Sequence, residues 1–263
     1  MCTIVAIKGR HPRYPLVLAA NRDEFYAREA APPAVVRERP RAVAGIDLER
    51  GGSWMGANEH GVFVAVTNQR TYSGPDPRRA SRGQVVLEAL ARPDVAGVDA
   101  FVASLDARDY NSFNLMWGDA SALRVGYARS EARAVEIHEL GDGISVLTND
   151  RMGSPEFPKS ARAAALVEPL VELPWEELAP ALARVLADHE KPALELVPEP
   201  PAGSRFDRAL LRELQAICIH TAVYGTRSAT ILALEPGRVA HYLTADEPPC
   251  RAPFREVSEL LYA

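Results

Sequence analysis

The chain opens MCTIVAIKGRHPRYPLVLAANRDEF, Met1 to Phe25. Thr3 to Ile7 and Leu16 to Ala20 are short, apolar, β-prone runs. The Arg- and Pro-bearing stretch between them has turn chemistry, so the spacing predicts a buried hairpin at the N-terminus. The return strand then brings its far end back beside the first residues of the chain. It delivers Asn21-Arg22-Asp23-Glu24 there, four consecutive hydrogen-bonding side chains directly after a buried strand. Such a cluster is costly unless its members pair with each other or with a ligand.

Cys2 stands on the other side of the same corner. Methionine before a small residue such as cysteine is normally trimmed, which would leave Cys2 carrying both a thiol and a free α-amino group, a nucleophile with its own base. The α-amino group titrates near about 7.7–8.0 and an unperturbed thiol near about 8.5. A few per cent of thiolate therefore exists at neutral pH, and a neighbouring cation raises that fraction. Arg22 is placed to be that cation, and Asp23 to hold the α-ammonium or orient the nucleophile. The residues alone leave a second reading open, in which Cys2 is a small buried side chain and Arg22 closes the hairpin by an ion pair.

Beyond this corner the chain alternates strands with pairs of helices. Val62 to Thr67 reads as a strand after the turn Asn58 to Gly61. Ser81-Arg82-Gly83-Gln84 has the form of a capping box, with Val86, Leu87 and Leu90 continuing at helical spacing. Val98, Phe101, Val102 and Leu105 mark a second amphipathic helix. Phe113 to Trp117, Leu123 to Tyr127 and Val135 to Ile137 form an antiparallel meander by their short connections, and Gly143 to Leu147 is a further strand. Lys159 to Val167, Leu178 to Leu186 and Phe206 to Leu214 are helical patterns, with the Pro-rich stretch Pro198 to Gly203 read as a surface loop. Ile217 to Thr221, Thr230 to Leu234 and Val239 to Leu243 return to strands. Helices outside and sheets inside are expected, in one domain over residues 1–263.

The 263 residues, 47% apolar and 25% charged, describe a folded globular chain and exclude a disordered, collagenous or coiled-coil one. Thirty Lys+Arg against thirty-five Asp+Glu leave a net charge of −5 and no basic face for nucleic acid. Only Lys8, Lys159 and Lys191 among the cations are lysines, which is read as composition bias without functional content. Three cysteines, Cys2, Cys218 and Cys250, with no close pair fit a reducing compartment. The opening residues lack a signal-peptide pattern and no apolar run reaches spanning length, so a cytoplasmic protein without a transmembrane segment is expected.

A set of dispersed motifs carries a family resemblance: MCTIV, LAANRDEF, GGSWMG at Gly51 to Gly56, NEHGVFVAVTN at Asn58 to Asn68, SFNLMWGD, LTND at Leu147 to Asp150, and VYGTRSATILAL at Val223 to Leu234. In order and at compatible spacing, they resemble the NRDE family, which includes the transport and Golgi organisation proteins. The same landmarks resemble, more faintly, the N-terminal-nucleophile hydrolases that include penicillin V acylase and bile salt hydrolase. That resemblance implies an α+β fold, the four-layer αββα sandwich. It also implies Cys2 as nucleophile with Arg22 and Asp23 as its neighbours, Asn68 and Asn149 on the oxyanion side, and Arg227 as a late arginine of the site. In those acylases two residues usually stand between the Arg and the Asp, whereas Arg22 and Asp23 are adjacent.

Two functions follow as expectations: a cysteine amidohydrolase acting on a linear amide or related acyl compound without a cofactor, or a non-enzymatic carrier of haem or a lipid or acyl-CoA-like ligand. The second rests on the family resemblance, with haem as a carried ligand. The residues specify no oligomeric state. Other chemistry has weaker support. Cys218 and His220 share one face of an expected strand, but two ligands make no metal site unless His241 or Cys250 converges on them, so no metal is expected. The Gly51 to Gly56 stretch lacks the spacing and lysine of a P-loop, its tryptophan suggesting a turn packed on an aromatic, and no nucleophile elbow occurs.

Overall fold

The computed structural model describes residues 2–72 and 74–263. In chain order the strands are β1 (Thr3–Lys8), β2 (Leu16–Phe25), β3 (Ala30–Glu38), β4 (Arg41–Asp47), β5 (Met55–Asn58), β6 (Phe63–Asn68), β7 (Phe113–Gly118), β8 (Leu123–Ala128), β9 (Glu136–Glu139), β10 (Gly143–Leu147), β11 (Tyr224–Glu235), β12 (Arg238–Ala245) and β13 (Arg255–Glu256). The helices are α1 (Arg82–Leu90), α2 (Val95–Ser104), α3 (Lys159–Val167), α4 (Trp175–Leu186) and α5 (Arg208–Glu213). Two antiparallel sheets result, one ordered β10-β1-β2-β11-β12-β13 and the other running β3 to β9 in sequence.

Strand β1 shows why the sheets stack. Its residues are apolar without alternation, as in a strand covered on both faces. Ile4 and Ala6 join Leu16, Leu18 and Ala20 in a core shared with Met55, Phe63 and Met116 of the second sheet. Val5 and Ile7 point the other way, with Val17 and Ala19, against Ala163 and Val167 of α3 and Leu178 and Leu182 of α4. On the far side of the second sheet, Val64, Leu115 and Trp117 pack against Val86 and Leu90 of α1 and Val98 and Val102 of α2. Helix pair, sheet, sheet, helix pair is the αββα sandwich expected from the sequence.

Several local expectations are corrected. The second strand does not end at Ala20 but runs through the NRDE residues to Phe25, because Asn21, Arg22 and Asp23 keep pairing with Ala229, Ser228 and Thr226 of β11. Strands β3 and β4 were not anticipated. Strand β3 carries Pro32 and Pro33, which a sheet tolerates at an edge and at the register shift found between Ala31 and Ala34. Ile217 to Thr221 is not a strand. The Cys218 N–H donates to the Asp188 carbonyl and the Ile219 N–H to the Thr226 hydroxyl, and a single bridge joins His220 to Gly225. Helix α1 starts after Ser81 as expected, but without the capping box: the Ser81 side chain caps nothing, and Gln84 donates to the Gly51 carbonyl at 2.9 Å.

Candidate functional site

Thr3 pairs with Asn21, so one step further out Cys2 lies opposite Arg22. The pleat sends alternate side chains to one face, and Cys2 with Ile4 and Arg22 with Ala20 face the space between the sheets. Cys2 and Arg22 line one pocket together with Trp54, Met55 and Ser228. They also line an open cleft of about 240 Å³ whose rim includes Asp23, Asp47, Asn68 and Arg82.

Arg22 is 5% exposed, and its side chain makes no hydrogen bond or ion pair among the described residues. Its guanidinium carbon lies 4.3 Å from the Trp54 ring centroid, a cation–π contact. The tryptophan of the glycine-rich stretch thus packs on a cation, where an aromatic partner was expected. Burial pushes the Arg22 pKa down, while the nearby Glu24 and Cys2 pull it back up. The neighbouring carboxylates are satisfied elsewhere: Arg28 lies 2.5 Å from Asp47 and 3.5 Å from Glu24. A second guanidinium, Arg82 at the start of α1, is pushed down to about 10 by burial, with the like charge of Arg28 adding to the effect.

Trp54 is held in place by close backbone approach. A Cβ on Gly52 would lie 2.6 Å from the Gly83 carbonyl carbon, so the glycine-rich loop and the first turn of α1 touch only because neither carries a side chain there. Ser53 N–H donates to the Gly83 carbonyl at 3.1 Å and seals this contact.

Adjacent residues on a strand point to opposite faces, so Asp23 turns from Arg22 toward the helix layer. Its Oδ1 accepts from the Thr226 hydroxyl at 2.6 Å, and that hydroxyl oxygen accepts from Ile219 N–H at 2.9 Å. Burial raises the Asp23 carboxyl, and the Lys159 ammonium acts against that rise. Lys159, on α3, is 1% exposed, and its Nζ has no hydrogen-bond partner among the described residues. Burial lowers its pKa, and the charges of Asp23 and Cys2 pull it up. Burial is also the largest influence on Cys2, raising its thiol, with a hydrogen bond from the Asp23 backbone N–H acting the other way. Cys2, half-buried at the cleft, thus joins the buried Asp23 and Lys159 in one electrostatic cluster, and a thiol lowered by a neighbouring cation is not what desolvation leaves.

Asn68 closes β6 at the cleft wall. Asn149, 2% exposed, donates to the Asn68 backbone carbonyl at 2.6 Å, so the two expected partners do meet, with Asn149 behind Asn68. Arg227 sits in the β-bulge between Thr226 and Ser228, which turns it away from the cleft. Its Nη1 donates to the carbonyls of Tyr26 at 2.5 Å and Phe25 at 3.3 Å. It lines an adjoining pocket of about 70 Å³ that Arg22 also borders. Lys159 and Arg82 join the site although local sequence marks neither as a functional residue. The available signal was periodicity: Lys159, Ala163 and Val167 form the buried stripe of α3, which places a lysine on an apolar face.

This architecture is that of the N-terminal-nucleophile hydrolases. Solved structures similar to it include a mutant of conjugated bile acid hydrolase from Clostridium perfringens, at 12% identity and TM-score 0.56 over 98% of this chain and 96% of that one. Another is the Caenorhabditis elegans N-acylethanolamine-hydrolyzing acid amidase ortholog, at 12% identity and TM-score 0.55 over 98% and 100%. The family described as Transport and Golgi organisation 2 matches residues 1–244. The chain is 30% identical over 238 residues to the Transport and Golgi organization protein 2 homolog of Bos taurus, and over 239 residues to that of Homo sapiens. Each alignment covers 84% of this chain and 83% of the relative. The chain belongs to the Transport and Golgi organisation 2 family. Among the described residues, no helix is long and apolar enough to cross a membrane.

Proposed function

We propose that this protein is an N-terminal-cysteine hydrolase acting on a linear amide or related acyl compound. The observation that carries the reading is a nearly buried arginine with unspent donors beside Cys2, where the first two strands meet the cleft. A buried cation without a hydrogen-bond partner is expensive, and its retention fits a site in which substrate completes the pairing. Fold likeness to an amidase and a hydrolase supports the same reading.

In the proposed reaction, removal of Met1 frees the Cys2 α-amino group, which takes the thiol proton as Sγ attacks the substrate carbonyl. The tetrahedral intermediate collapses by breaking the carbonyl–nitrogen bond, and the proton passes to the leaving amine. Water then attacks the thioester, again with the amino group as base, to release the acid and restore the thiol. Arg22 offers its donors to the developing oxyanion or to an acidic group of the substrate. Asn68 supplies a further donor from the cleft wall, worth about 3 kcal/mol of barrier when aligned on the oxyanion, and Asn149 fixes its backbone. Asp23 orients the α-ammonium, and Arg227 holds a polar end of the substrate in the adjoining pocket.

The test is turnover of a panel of N-acyl amides by protein whose intact mass establishes loss of Met1. Cys2→Ala should lower turnover by orders of magnitude. A protein that retains Met1, or one that binds haemin or an acyl-CoA yet hydrolyses no member of the panel, would overturn the proposal in favour of a carrier.

A further inference from the structure

Cys218 and His220 by themselves are two ligands and need others to make a metal site. His241, one of the two candidates, is committed elsewhere, with Nε2 3.0 Å from the Tyr14 hydroxyl and Nδ1 3.2 Å from Glu256. The other candidate, Cys250, does arrive, carried by the turn after β12. His189, carried by the turn after α4, arrives with it. One ligand atom from each of His189, Cys218, His220 and Cys250 lies within 4.8 Å of the others.

We propose that these four side chains form a binding site for a tetrahedral, thiophilic divalent ion of the zinc class, separate from the Cys2 cleft. Tetrahedral bonds of about 2.3 Å to sulfur and about 2.0–2.1 Å to nitrogen place two sulfurs about 3.8 Å apart, and a sulfur and a nitrogen about 3.5 Å apart. Here the two Sγ atoms are 3.8 Å apart. His220 Nε2 lies 3.7 Å from Cys218 Sγ and 3.3 Å from Cys250 Sγ. The spacing is thus that of ligands around a shared centre. A disulfide needs its sulfurs at about 2.05 Å.

The surroundings suit the same ion. His189 Nδ1 is 3.0 Å from the Cys218 carbonyl, which can only accept, so Nδ1 carries the proton and the ring's lone pair is on Nε2. This is the support a metal-binding imidazole ordinarily has. Two thiols bind as thiolates and release two protons, and with two neutral imidazoles their charge balances a divalent cation. Cys218 is buried, His220 half-buried, and His189 and Cys250 exposed, so an ion can enter from solvent and end against the protein interior.

The ion would clamp three segments that are distant in sequence. One of them, through Ile219 N–H, holds the Thr226 hydroxyl that donates to Asp23. The clamp therefore lies two hydrogen bonds behind the cleft, and it stands whether or not the hydrolase reading does.

The test is elemental analysis of the full chain, purified untagged and reduced, without chelators or metal columns. About one zinc per chain is expected, with less than a tenth of that in Cys250→Ser and in His189→Ala, both exposed positions where folding should survive. Cobalt added to demetallated protein should give the visible bands of a tetrahedral centre and thiolate charge-transfer absorption, and both should be absent from the two variants. Chelation should lower the Tm of the wild type by several degrees and leave that of the variants unchanged. Substoichiometric zinc with no tetrahedral cobalt spectrum, full zinc content in both variants, or a Cys218–Cys250 disulfide in cells quenched with alkylating agent would each overturn the proposal.

Discussion

Replacing Arg22 with methionine should make the protein more stable and its first cysteine less reactive. The side chain is 5% exposed, donates no hydrogen bond among the described residues, and lies over the Trp54 ring at 4.3 Å. Desolvating such an ion costs several kcal/mol after relaxation, and a desolvated cation–π contact returns about 2 kcal/mol. The carboxylates nearby, Glu24 and Asp47, keep Arg28 as their partner when Arg22 is gone. Methionine fills much of the same volume with adaptable apolar atoms. The balance is a gain of about 1–2 kcal/mol, or about 2–8 °C in Tm for a chain of this size.

At the site the sign reverses, because the lost positive charge no longer favours the Cys2 thiolate. Without that charge the thiol is harder to ionise, and alkylation at neutral pH should slow by about tenfold, which is about 1.4 kcal/mol. Urea unfolding gives the first quantity. The second comes from iodoacetamide labelling of the Cys2 peptide, with Cys218 and Cys250 as internal references. A variant that loses more than about 1 kcal/mol of stability while Cys2 labels at the wild-type rate would refute the reasoning, since Arg22 would then be a structural cation.

Three further outcomes are expected. Burial raises the Asp23 pKa above its ordinary 3.8, so the stability it contributes is fully present below that pH and is lost as pH rises through the folded value. The stability of Asp23→Asn relative to wild type should therefore increase from about pH 4 upward through the acidic range, and a pH-independent difference in urea titrations would contradict this. Lys159→Met removes a buried positive charge that acts on Cys2, so the alkylation profile of Cys2 should move to higher pH, whereas an unmoved profile would place Lys159 outside the cluster. Gly52→Ala puts a methyl group 2.6 Å from the Gly83 backbone and should cost about 1–3 kcal/mol. Gly141→Ala, with nothing within 4 Å of the added atom, should stay within about 0.5 kcal/mol in the same denaturation series.

Much of this architecture was legible in local pattern. Helix α3 begins and ends where its apolar spacing does, and β10 matches its apolar run residue for residue. The elements that were missed or misread are those whose partners lie far along the chain. The polar NRDE residues extend a strand because β11, some two hundred residues later, supplies the ladder. Strand β3, with its two prolines, exists because an edge position excuses the missing donors. Ile217 to Thr221 looks β-prone, yet its N–H groups find Asp188 and Thr226 in place of a strand.

The candidate site divides in the same way. A cysteine at position 2 and a hairpin returning Arg22 beside it are properties of contiguous sequence, because an antiparallel pair joined by a short turn has little choice of register. The charge environment of that corner is not. Lys159 reaches Asp23 only through the docking of α3, Trp54 covers Arg22 only because Gly52 and Gly83 permit two backbones to touch, and a bulge in β11 turns Arg227 to a different pocket. His189, Cys218, His220 and Cys250 come from three separate turns. Local sequence decides which groups are present and which strand they ride on. Their solvation and their neighbours, which set whether a thiol, a carboxyl or an ammonium carries charge, depend on surfaces that exist only after the layers have packed.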